Sequence, residues 1–96
     1  QPAEVERTLL EHPHVADVAV VGTAEPRWGE VVTAFIVRSD AELTTQEVDE
    51  HCRLSPLADF KRPRRLFFVD EIPRNPSGKI VRQHVRDLFV TLRAGT

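Results

Sequence analysis

The sequence has little of what staples a small fold or spans a membrane. One of its 96 residues is cysteine, Cys52, which excludes an internal disulfide and a cysteine-rich zinc site. No apolar run reaches the ~18 residues of a transmembrane helix, and no stretch has the pattern of a signal peptide. The basic segment, residues 61–96, does not read as a nucleic-acid stacking platform, which needs spaced, exposed rings: its Phe67 and Phe68 stand side by side in an apolar run. There are no repeats and no low-complexity segment. A reducing, cytoplasmic setting is therefore expected. A first residue that is Gln1 rather than methionine leads us to expect a piece of a longer protein.

What is present is ordinary for a soluble globular chain: 41% apolar and 29% charged residues. A chain this short buries roughly 60–65% of its unfolded surface, enough for one modest core but not for a deep substrate cavity too. The net charge of −2 hides an asymmetry. Residues 1–60 carry four Lys/Arg against twelve Asp/Glu, a net of −8, and residues 61–96 carry nine against three, a net of +6. The two halves either solvate two faces, or the basic third meets anionic groups such as phosphates.

Pro2-Ala3-Glu4-Val5-Glu6 suits a helix start, with Val5 and Leu9 on one stripe and a stop near His12-Pro13. Residues 15–21 are nearly all Val and Ala, a strand covered on both faces. Residues 22–29 are expected as a turn region and 31–37 as a second strand, antiparallel to the first. Thr44 and Glu47 form a capping box, with Leu43 and Val48 as a hydrophobic staple, for a helix over 44–53. Residues 65–69 are a third strand and 70–78 a loop. Val81, Val85, Leu88, Phe89 and Leu92 then share one helical face, and residues 93–96 are expected to fray. Helices and strands mix irregularly, so the fold class is α+β: a small sheet of about three strands with about three helices.

The chemistry concentrates in residues 72–82. A phosphate-binding P-loop is excluded, because Pro73 stands where its first glycine belongs and Ile80 follows the lysine. What remains is Lys79 at the end of a loop stiffened by Pro73 and Pro76 and freed at Gly78. Such a loop presents an ammonium at one place, suited to a phosphate or carboxylate oxygen. From the residues alone, a plain solubilising lysine is the commoner reading. The four histidines have no metal spacing and Cys52 falls on the core face of its helix, so no metal site is expected.

Pro73, Gly78 and Lys79 with Ile80-Val81-Arg82 resemble the C-terminal motif of the adenylate-forming enzymes. Four further blocks agree in order: Pro2-Ala3-Glu4-Val5-Glu6; residues 14–22; Glu25-Pro26-Arg27-Trp28-Gly29-Glu30, with Glu25 where Asp is commoner; and residues 57–63, with Phe60 in place of Tyr. The absence of an Asp after Lys79 makes the motif more like acyl-CoA synthetases than peptide-synthetase domains. The resemblance implies the mobile C-terminal domain, residues 1–96 with an ordered core over 1–92, of a ligase whose large N-terminal domain is absent. That family joins a carboxylic acid to ATP with Mg2+, forming an acyl-adenylate, then transfers the acyl group to the thiol of CoA. The isolated piece is expected to be inactive and to hold no cofactor.

Carried over, Lys79 serves the adenylation step and Pro73 and Gly78 shape its loop. Trp28, Gly29, Glu30 and Lys61 are expected along the CoA path, with Arg62 and Arg64 near its phosphates. Arg82 is expected to stabilise the final helix. The partners implied are the protein's own N-terminal domain, the acid, ATP and CoA, with no nucleic acid. Lys79 is also a candidate acetylation site, which would make the chain a partner of a protein lysine acetyltransferase. Two more roles stay open: transfer of the acyl group to a carrier-protein thiol, and a free-standing adaptor with no enzyme parent.

Overall fold

The computed structural model describes residues 2–94. The order is α1 (Pro2–Leu10), β1 (Val15–Glu25), β2 (Gly29–Arg38), α2 (Thr45–Arg53), a 3₁₀ turn (Asp59–Lys61), β3 (Arg65–Phe68) and α3 (Arg82–Ala94). The strands form one sheet in the order β1-β2-β3, with β1 antiparallel and β3 parallel to β2. The α+β arrangement of three helices on a three-stranded sheet is thus as expected. α3 includes Arg93 and Ala94, and the expected fraying at Gly95 and Thr96 lies outside the described residues.

The Val/Ala run of β1 is buried on both sides because helices cover both faces. Val18 and Val20, with Ala34 and Ile36 of β2, pack against Val5 and Leu9 of α1 and Val48 and Cys52 of α2. Their neighbours Ala19, Val21 and Phe35 point the other way, against Val85 and Phe89 of α3 and Ile72. Phe35 lies at the centre of the second face: its ring stacks on Phe67 at 5.4 Å, and Phe67 meets Phe89 edge-on at 5.9 Å.

α2 starts as its sequence dictates. The Thr44 hydroxyl accepts from the Glu47 N–H, and the Glu47 carboxylate accepts from the Thr44 N–H. Leu43 and Val48 are both buried beside this cap.

The first hairpin differs from expectation. Strand structure continues through residues 22–25, and only Pro26, Arg27 and Trp28 form the loop. Cross-strand pairing outweighs the turn signal of Gly22: Thr23 lies opposite Val31 and Thr33 opposite Val21, and the two buried threonine hydroxyls meet on the diagonal, 2.6 Å apart.

Two side chains close the free edge of β1. The Glu6 carboxylate accepts from the Val20 N–H at 2.8 Å and from Arg82 at 2.8 Å, while Arg82 also donates to the Val20 carbonyl at 2.9 Å. Arg82 thereby ties the start of α3 to α1 across the sheet edge.

Cys52 is 1% exposed, and burial pushes its thiol up from the usual 9.0 to about 11, with Asp49 adding to the rise. The unfolded chain loses this proton first, so Cys52 contributes stability that is intact below about pH 9 and lost as pH rises through about 11. The expected loss is roughly 2–3 kcal/mol. The chain has no tyrosine to obscure it. Urea midpoints measured from pH 8 to 11 should fall steeply for the wild type. Cys52→Ala should be less stable at pH 8 but flatter over that range, so that the gap closes as pH rises; equal slopes would reject the assignment.

Candidate functional site: the Lys79 loop and the β1–β2 turn

The Lys79 loop is built by one asparagine. Asn75 Oδ1 accepts from the Ser77 N–H at 3.0 Å, the Ser77 hydroxyl at 2.7 Å and the Lys79 N–H at 3.0 Å. The Asn75 N–H donates to the Lys79 carbonyl and the Gly78 N–H to the Asn75 carbonyl, both at 2.9 Å. Both backbone groups of Lys79 are therefore bonded to Asn75. Gly78 sits at φ +89°, a conformation that costs other residues roughly 1–2 kcal/mol. Pro73 closes the base, its carbonyl accepting from the Val81 N–H at 3.2 Å.

The loop is joined to the sheet by Arg74. Its Nη2 donates to both oxygens of Asp17 on β1, at 2.7 and 2.9 Å, and its Nη1 donates to the Gly78 carbonyl at 2.9 Å. Lys79 itself is exposed. Among the described residues its ammonium has no hydrogen-bond or ion-pair partner.

The second expected group lies at the tip of the β1–β2 hairpin. Glu25 Oε1 accepts from the N–H groups of Arg27 and Trp28, and Gly29 closes the turn at φ +84°. Trp28 is 57% exposed, with the Arg64 guanidinium 4.8 Å from its ring centre and that of Arg27 at 5.9 Å. A shallow hollow of about 210 Å³ joins Trp28 and Glu30 to Phe60, Arg62 and Arg64. Lys61 lies outside this hollow's lining, with its ammonium on Glu4 at 2.8 Å.

Four of the nine basic residues in 61–96 are matched within the fold. Lys61, Arg62, Arg74 and Arg82 all reach carboxylates in the first 60 residues. Arg64 remains beside Trp28 without such a partner among the described residues. The charge asymmetry of the sequence is thus in part an internal complementarity.

The histidines pack structurally. His51 Nε2 lies 2.7 Å from the Thr8 carbonyl, and His12 sits between His14 and His51. Burial first, then those two imidazoles, lower the pKa of His12. Among the described residues no three His, Cys, Asp or Glu side chains are placed to hold a metal, and no helix is long and apolar enough to cross a membrane.

Sequence reasoning missed three residues: Asp17, Arg74 and Asn75. Asn75 carried a signal, since an Asn two residues before a Ser in a Pro/Gly loop fits an Asx turn. Asp17 and Arg74 are 57 positions apart, and nothing local joins them.

Comparison with known proteins decides the family. Residues 4–79 match the AMP-binding enzyme C-terminal domain. The chain belongs to that family. It is 49% identical over 89 residues, 92% of its length, to a fatty acid–[acyl-carrier-protein] ligase, ScoC, of Streptomyces coeruleorubidus, covering 17% of that protein. It is 50% identical over 84 residues, 88% of its length, to a 4-chlorobenzoate–CoA ligase of Arthrobacter, covering 16% of that protein. The fold superposes on a Mycobacterium tuberculosis fatty acyl CoA synthetase with a TM-score of 0.88 and 36% identity, over 95% of this chain and 18% of that one. The chain therefore spans about one sixth of the length of these relatives, and it corresponds to the C-terminal domain of this acyl- and aryl-CoA ligase group.

Proposed function

We propose that the chain works as the catalytic lid of a larger acid–thiol ligase and that Lys79 serves the adenylation step. One observation carries this reading: an ammonium with no partner of its own, on a loop whose backbone bonds are closed. Adenylation brings a carboxylate against the α-phosphate of ATP, two anions that repel. A fixed ammonium between them offsets the repulsion and holds the reactants in line, which is positioning plus electrostatic stabilisation in a water-poor site. The lysine acts as a charge and needs to lose no proton.

The second step is the attack of a thiol on the acyl carbon with loss of AMP. We assign the Trp28 turn to the acceptor side, with Gly29 allowing close backbone approach, Glu30 at the hollow's edge and Arg64 free for a phosphate. Lys61, occupied by Glu4, has the weaker claim. The Lys79 loop is tied to Asp17 and the turn begins at Glu25, eight residues further along β1, or about 26 Å at a strand's rise. This separation supports a lid that rotates between the half-reactions and presents the two groups in turn.

CoA is the acceptor we favour, because the exposed ring with an adjacent guanidinium suits a nucleotide-bearing thiol. Aromatic stacking of one base is worth ~1–3 kcal/mol. Trp28→Ala is accordingly expected to raise the KM for CoA roughly tenfold and to leave pyrophosphate release unchanged. An unchanged KM would reject this role and favour a carrier-protein thiol. The exposed, unpaired Lys79 also suits modification by a lysine acetyltransferase, which would remove the charge that adenylation uses.

The whole reading is tested on the full-length ligase by separated half-reactions, wild type against Lys79→Ala. Pyrophosphate release reports adenylation, and CoA consumption from supplied acyl-adenylate reports thioester formation. Unchanged adenylation would reject the lid assignment.

A further inference from the structure

We infer that Asp17, acting through Arg74, sets the position of Lys79 and is therefore a positioning residue for adenylation. The inference rests on the reading of Lys79 given above. The bonds made by Asn75 fix the shape of the loop but not its place. Apart from Arg74–Asp17, every hydrogen bond made by residues 74–80 among the described residues closes within that segment. Among those residues the Arg74 side chain is the one polar tie between the loop and the sheet, and it ends on the Gly78 carbonyl, one peptide before Lys79.

β1 is shaped to offer the other end of this tie. The register against β2 shifts between Val15 and Asp17, leaving Ala16 as the extra residue. A bulge of this kind re-aims the side chains that follow it. Asp17 Oδ1 also accepts from the Val18 N–H at 2.9 Å, which fixes its carboxylate against the strand. The pair is about one-third exposed on each side, so it contributes little to global stability. Its geometry, two contacts to one carboxylate and one to the loop, constrains direction instead.

The experiment uses the full-length ligase with Asp17→Asn, Arg74→Ala, the double variant, and Lys79→Ala as the control. Each single variant is expected to slow adenylation about tenfold through misplacement of the lysine, with the KM for ATP unchanged. Thioester formation from supplied acyl-adenylate and Tm should stay at wild-type values. The double variant should be no slower than the slower single, because both changes cut one relay.

Normal adenylation in both singles while Lys79→Ala is inactive would overturn the inference and leave the lid reading standing. Parallel loss of both half-reactions with a fall in Tm would reduce the pair to a structural brace and overturn it too. Additive losses in the double variant would separate the two residues and overturn the relay. An active Lys79→Ala would remove the lid reading, and this inference with it.

Discussion

Replacing Lys79 with alanine in the full-length ligase is expected to lower acyl-adenylate formation on the order of 10²–10³-fold, the usual loss for one well-placed donor in a water-excluded site. The effect should be confined to that step. The loop keeps its shape in the variant because its bonds use the backbone of Lys79 and the side chain of Asn75, neither of which changes. Exposed substitutions of this kind stay within about 0.5 kcal/mol in stability, so the Tm should not move. Lys79→Arg makes the sharper comparison: it keeps the charge but replaces a compact ammonium by a wide planar fork. Partial recovery of adenylation in that variant would show that charge alone is insufficient. Loss of both half-reactions in Lys79→Ala would point to damaged domain rotation.

Phe35→Ala is expected to cost roughly 3–5 kcal/mol, as for other fully buried rings. Phe35 is 0% exposed on the central strand. It stacks on Phe67 and lies in the same cluster as Val85 and Phe89 of α3. A domain of this size has about 5–15 kcal/mol of stability in total, so this single truncation removes a large share of it. The Tm should fall by more than ~10 °C at about 4–8 °C per kcal/mol. Phe35→Leu preserves most of the volume and should cost below about 1.5 kcal/mol. Thermal unfolding followed by circular dichroism separates the two, and a loss for Phe35→Ala as small as for Phe35→Leu would mean that the second face carries little of the core.

The fold was legible where a local pattern had a single physical solution. The unbroken Val/Ala run of β1 required cover on both faces, and α1, α2 and α3 supply it. Thr44 and Glu47 marked the start of α2 because a capping box is complete within four residues. Lys79 stood out by its proline- and glycine-bounded loop and by the family motif around it. Residues 22–25 of the hairpin misled, because Gly22 signals a turn but the Thr23–Thr33 contact decides. The tie between Asp17 and Arg74, and the pairing of the basic third with earlier carboxylates, were invisible. Each joins residues far apart in the chain, and only the packed helices and strands bring them within reach. Asn75 falls between these cases, since its own loop carried the clue.

The Glu6–Arg82 clasp has a consequence for how copies of the molecule meet. β1 is an edge strand, and an open edge offers unpaired N–H and C=O groups that template pairing with another chain. At Val20, midway along β1, both groups are already occupied, one by an acid from α1 and the other by a base from α3. An incoming strand would have to displace a charged pair before it could continue the sheet. The clasp that anchors two helices thus also guards the molecule against edge-to-edge aggregation.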